Sequence, residues 1–417
     1  MTFSGQLTNL GTKVGRRVAT AALALATFFV LQVTGAGLAQ AQSFSVLHTF
    51  KGPDGANPTS QVTLDAKGNI YGTTDVGGGR YGGQGGTVFE LTPKGKRYVE
   101  SVLYTFNSAL DDPLAGVIRD AEGNFYGTTS EWFYTYGSVF ELSNGQLTTL
   151  WGFTGGTDGE NPMYADLVRD AKGNLYGVTA GDFAGSPECS SSRCGTVYKV
   201  DMKKHLTVLH TFKPKDGIFP FQGVLRDAKG NLYGSTSSGG AHGRGTVFEL
   251  TAAGSYNVLY NFPSAVGQLL GGPNGSRPLV LDAKGNLYGA TWSEGKYGHG
   301  MVFKVNISSR TGTELYSFKG TPDGAYPRGG LVLDSAGNLY GTTSRGGTSD
   351  AGTVFEVDTT NNETVLHNFN GGSDGYSPQG VVMDKAGNLY GAAYEGGDIS
   401  CSTSKGLGCG TVFELTP

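Results

Sequence analysis

Asp65-Ala66-Lys67-Gly68-Asn69-Ile70-Tyr71-Gly72 is the first of seven similar phrases in a chain of 417 residues. The copies begin at Asp65, Asp120, Asp170, Asp227, Asp282, Asp334 and Asp384, at intervals of 50 to 57 residues. A period of this length marks a repeat architecture, in which each copy is one supersecondary unit that buries its apolar face against the next.

Around the phrase, each repeat resolves into four short strand signals. An apolar run leads into the Asp, as in Gly330-Leu331-Val332-Leu333-Asp334. Asn-Leu-Tyr-Gly-Thr-Thr follows at Asn338 to Thr343, then Gly-Thr-Val-Phe-Glu at Gly352 to Glu356 and Val-Leu-His-Asn-Phe at Val365 to Phe369. All are short, rich in β-branched and aromatic residues, and bounded by turn residues. Seven four-stranded units predict an all-β fold, a seven-bladed β-propeller of antiparallel blades. A parallel β-helix is the rival, but its repeats are much shorter.

Composition points the same way. With 70 Gly the chain is unsuited to long helices, since each interior Gly costs roughly 1 kcal/mol relative to Ala. With 22 Phe and 21 Tyr it has the apolar surface for a core, which argues against disorder.

The ends of the chain predict how the ring closes. Ser45-Val46-Leu47-His48-Thr49-Phe50 is a fourth-strand sequence, whereas Gly410 to Leu415 is a third-strand sequence. The N-terminal strand is therefore expected to complete the last blade, residues 45–50 lying beside 411–415, which leaves no open seam.

Residues 1–41 read as a signal peptide. Lys13, Arg16 and Arg17 precede the apolar run from Val18 to Val33, and Ala39-Gln40-Ala41 supplies small residues for cleavage. The run is shorter than the roughly 20 residues of a membrane span. Residues 42–417 then form a single propeller domain, secreted or periplasmic and without a membrane role after cleavage. Losing three basic residues takes the net charge from −4 to −7. No basic stripe suggests a nucleic-acid partner. A monomer is expected.

From Ser45 to Pro417 the chain resembles the GloVer-type (Gloeo/Verruco) tandem-repeat family of secreted bacterial β-propeller proteins. The resemblance rests on Gly-Asn-x-Tyr-Gly and Gly-Thr-Val-Phe-Glu repeated in phase, with Ser138, Tyr198, Lys199, Met301 and Lys304 as departures. It implies a fold and an export route, not an activity. Members often carry a C-terminal anchoring segment; here the last blade ends the sequence, which favours release.

The recurring residues read as scaffold. Asp and Gly of Asp-Ala-Lys-Gly-Asn suit a tight hairpin turn, and the ligand spacing of a calcium loop is absent, so neither metal nor cofactor is expected. Asp-Gly-x-x-Pro occurs at Asp54, Asp158, Asp216, Asp323 and Asp374, where Asp is expected to cap its turn rather than join a cation-binding ring. Aromatics in the series of Tyr71, Phe89 and Phe50 read as wedges between blades, each burying about 150–250 Å². His48, His210 and His367 alternate with Tyr104, Trp151, Tyr260 and Tyr316, so this position calls for a flat amphipathic ring. Cys189 with Cys194, and Cys401 with Cys409, are expected to staple two loops between second and third strands.

Function is expected on the face that carries the long, variable loops. Removing scaffold positions leaves Glu131, Trp132, Tyr134, Trp292, His299, Tyr326, Arg345, Tyr376, Tyr394 and Glu395 as candidate ligand contacts. Aromatic faces beside acidic and amide groups suit stacking on sugars or gripping a peptide. A binding module for an extracellular glycan or protein is the reading these residues favour. The alternative is a propeller hydrolase or lyase acting on a polysaccharide, for which no catalytic motif is present.

Overall fold

The structure, a computed structural model, describes residues 42–78, 84–106, 112–130, 136–181, 194–263, 279–403 and 406–417, together with Met1. Apart from Met1, the segment read as a signal peptide lies outside the described residues. Seven antiparallel sheets, one per repeat, form a seven-bladed β-propeller. In the fourth blade the order is Leu225–Arg226, Leu232–Thr236, Thr246–Leu250 and Tyr256–Asn261, each strand paired with the next in sequence.

The ring closes as the ends of the chain predict. Ser43–Thr49 pairs antiparallel with Thr411–Thr416, from Ser43 opposite Thr416 to Thr49 opposite Thr411. Pairing starts two residues before the expected segment, and Phe50 follows it as a fully buried side chain.

Between blades, one aromatic contact recurs around the ring. The Phe that follows each fourth strand packs edge-on or steeply tilted against the third-strand ring of the next blade. Phe50 against Phe89, Phe212 against Phe248 and Phe369 against Phe413 have centroids 5.1–5.2 Å apart. Such pairs are worth about 0.5–1.5 kcal/mol beyond their buried area. The glycine of Tyr-Gly makes room for that third-strand ring. A Cβ on Gly72 would lie 2.6 Å from Phe89, and one on Gly234 2.5 Å from Phe248.

The Asp-Ala-Lys-Gly-Asn turn is tied to the blade by a network that sequence reading missed. Oδ1 of Asp65 accepts from the backbone N–H of Lys67 and Asn69, while Oδ2 accepts from Asn69 Nδ2 and the Tyr71 hydroxyl. Burial alone would raise the Asp65 pKa, but these hydrogen bonds outweigh it and hold it below the ordinary value. Across the sheet the same hydroxyl meets Glu90 at 3.0 Å, as Tyr126 meets Glu141, Tyr233 meets Glu249 and Tyr390 meets Glu414. Lys199 and Lys304 replace that Glu in blades three and five, leaving Tyr176 and Tyr288 bonded to Asp170 and Asp282.

Candidate functional site

Asp-Gly-x-x-Pro builds the rim of the loop face. Asp54 Oδ1 accepts from the Lys51 N–H, and Asp158, Asp323 and Asp374 cap their links in the same way. The carboxylate also meets the ring of the preceding fourth strand: His48, Trp151, His210, Tyr316 and His367 contact Asp54, Asp158, Asp216, Asp323 and Asp374. The shared property of His, Trp and Tyr here is therefore a polar N–H or O–H at the far edge of a flat ring. The Pro ring seats against the glycine that opens the previous blade's third strand, as Pro327 does on Gly300.

That docking forces the residue before Pro into the left-handed region. Asn57, Asn161, Phe219, Tyr326 and Ser377 all have φ of 55–58°. Asn tolerates this conformation, whereas a bulky side chain pays about 1–2 kcal/mol. Tyr326 is held there by its N–H donating to the His299 carbonyl at 2.7 Å.

Tyr326 opens onto a cavity of about 530 Å³ between blades five, six and seven. Trp292, Tyr326, Arg345, Tyr376, Tyr394 and Glu395, six of the sequence candidates, line it together. The rings of Trp292 and Tyr326 stand 4.8 Å apart and 32° from parallel, with Trp292 38% exposed. Arg345 lies over the Tyr376 ring at 5.0 Å and reaches Asp350 at 3.4 Å. Tyr394 donates to Asp75 Oδ2 at 3.3 Å, joining the seventh blade to the first. Burial raises the Tyr394 pKa, and the Asp75 charge adds to it. Burial also pushes the Glu395 carboxyl up, against the opposing charge of Arg345.

His299 does not line the cavity; its ring stands edge-on to that of Tyr326, with centroids 5.7 Å apart. Glu131, Trp132 and Tyr134 lie outside the described residues. Sequence reading missed Arg328, Ser344, Asp350 and Ser377, which complete the lining. Arg328 is half-buried and forms no ion pair among the described residues. Its signal was available: the residue after the same Pro is Thr59, Leu114, Met163, Phe221 or Gln379 in other repeats, and only here is it charged.

Cys401 and Cys409 form a disulfide, and their loop lays Gly406 against the Glu395 carboxylate. Cys194 is buried and disulfide-bonded, while Cys189 lies outside the described residues. Among the described residues no cluster of three or more His, Cys, Asp or Glu is arranged to hold a metal.

The sequence matches the Gloeobacter/Verrucomicrobia repeat over residues 27–187 and 181–405. The chain belongs to that family. No curated protein matches this Gloeobacter/Verrucomicrobia repeat protein in sequence. Among solved structures it is similar to the extracellular domain assigned to a one-component system of B. thetaiotaomicron. The TM-score is 0.53 at 11% identity, covering 88% of this chain and 39% of that one. The extracellular domain assigned to a hybrid two-component system of the same organism gives 0.50 at 14%, covering 90% and 41%. The chain thus spans about two fifths of the length of these structures, and at such identity the likeness is one of fold.

Proposed function

We propose that this repeat propeller is a secreted binding module that takes an extracellular glycan in the cavity between blades five, six and seven. The observation that carries the reading is the Trp292–Tyr326 shelf, set in one cavity with the guanidinium of Arg328, which forms no ion pair among the described residues. A flat, partly exposed aromatic face stacks on the C–H face of a sugar ring, while a few polar groups fix its orientation. The volume of about 530 Å³ lies in the range of small-ligand cavities, enough for a few sugar rings. Arg345 is held by Asp350, so Arg328 is the lining guanidinium left to a ligand, and it favours one that carries a carboxylate, which guanidinium binds bidentately. A glycan array tests the reading. Wild type is expected to retain acidic oligosaccharides that Trp292→Ala does not, and identical profiles for the two proteins would sink it.

A further inference from the structure

The opposite face, formed by the short uniform turns, holds a second cavity where the repeat pattern is broken. In four blades a glutamate accepts the Tyr hydroxyl beside the turn; in blade three Lys199 takes its place. The substitution stands on a cavity of about 420 Å³ between blades three and four. Lys172, Lys199, Arg226 and Lys229 line it, with Asp170 as the one lining carboxylate. Asp170 is already engaged by the Lys172 N–H, Asn174 and Tyr176, which together hold its pKa low against the effect of burial. Among the lining residues cations thus outnumber carboxylates by three, within a chain whose net charge is −4.

Arg226 is positioned rather than free. Its guanidinium lies 5.5 Å from the Tyr176 ring centre and beside Gly230, and its Nε is buried without a hydrogen-bond partner among the described residues. The corresponding cavity at Lys304, between blades five and six, is lined by Lys284 and Lys304 but also by Asp282, Asp334 and Asp358. Loss of the glutamate alone therefore does not make a basic site; the neighbours at blades three and four do.

We propose that the cavity of Lys199 and Arg226 binds a phosphate dianion, free or borne on a sugar. A dianion matches an excess of three positive charges better than a single carboxylate, and Arg and Lys supply donors to its several oxygens. The cavity exceeds the size of phosphate alone and leaves room for a sugar that bears it.

Calorimetric titration at constant ionic strength, with inorganic phosphate, glucose 6-phosphate and acetate as probes, tests this. Saturable one-site binding of both phosphates is expected, with acetate at least tenfold weaker. Tighter binding of glucose 6-phosphate assigns the site to a sugar phosphate, and equal binding assigns it to the free anion. Lys199→Glu restores the glutamate that other blades carry, so it should fold with an unchanged or higher melting temperature yet bind phosphate at least tenfold more weakly. Lys199→Gln should weaken it to a smaller degree, and Lys304→Glu should not change it. Equal phosphate affinity in wild type and Lys199→Glu, acetate binding as tight as phosphate, or no saturable binding would overturn the proposal.

Discussion

His210 holds its Nε2 3.5 Å from Oδ2 of Asp216, on the link between the third and fourth blades. The ring also stacks on Tyr256 of the next blade, with centroids 3.9 Å apart and planes within 4°. Burial lowers the His210 pKa from 6.5, outweighing the attraction of Asp216. A histidine whose folded pKa is depressed contributes stability above its unfolded pKa and loses it as pH falls through the folded value.

The melting temperature should therefore drop as pH falls below about 6.5, with part of the slope due to His210. His210→Tyr, which copies Tyr316 in the fifth blade, should flatten that profile between pH 7 and 5. Parallel wild-type and variant curves in thermal melts across that range would contradict the assignment.

Ring closure is the second test. Phe50 is fully buried, and Phe44 stacks on His367 of the neighbouring blade at 3.7 Å. Deleting residues 42–50 should lower the melting temperature sharply, and Phe50→Ala should cost about 3–5 kcal/mol in denaturant unfolding. Wild-type stability in both proteins would refute closure by the N-terminal strand.

Gly234 gives a sharper packing test. Its Cβ would meet the Phe248 ring at 2.5 Å, so Gly234→Ala should destabilise by about 1–3 kcal/mol. Gly152 sits in a strand with nothing within 4 Å of a Cβ, so Gly152→Ala should be neutral or slightly stabilising. Equal effects in urea titrations would contradict the account of the repeated Tyr-Gly.

The Cys401–Cys409 bridge links stability to the site. It spans 8 residues, and its loop lays Gly406 on Glu395 at the cavity edge. Replacing both cysteines with Ser should cost about 2–3 kcal/mol and weaken glycan binding as well. Unchanged affinity would separate the loop from the site.

Particular residues show why the fold was easier to read than the site. Seven copies of Tyr-Gly and five of Val-Phe-Glu carry period and strand type in local sequence, and Gly72 and Phe89 meet where their strands pair, with Phe50 reaching them from the neighbouring blade. The Tyr71–Asp65–Glu90 network was hidden because Glu90 belongs to another motif, and only the strand register brings it to the hydroxyl. The site draws its residues from three blades. Trp292, Tyr326 and Tyr394 stood out as aromatics that the scaffold did not explain, but nothing local joined them. Arg328 escaped because its meaning lies in a comparison across repeats, at a position otherwise uncharged.

Ligand binding is assigned to the cavity of Trp292, Tyr326 and Arg328. Intrinsic fluorescence, followed while titrating oligogalacturonate and a neutral oligosaccharide of equal length, measures it directly, since the chain has only three Trp. The uronate should give a saturable change that Trp292→Phe abolishes and Arg328→Gln weakens by at least tenfold, with the neutral sugar bound more weakly. A change that persists undiminished in both variants, or no change with either sugar, would contradict it.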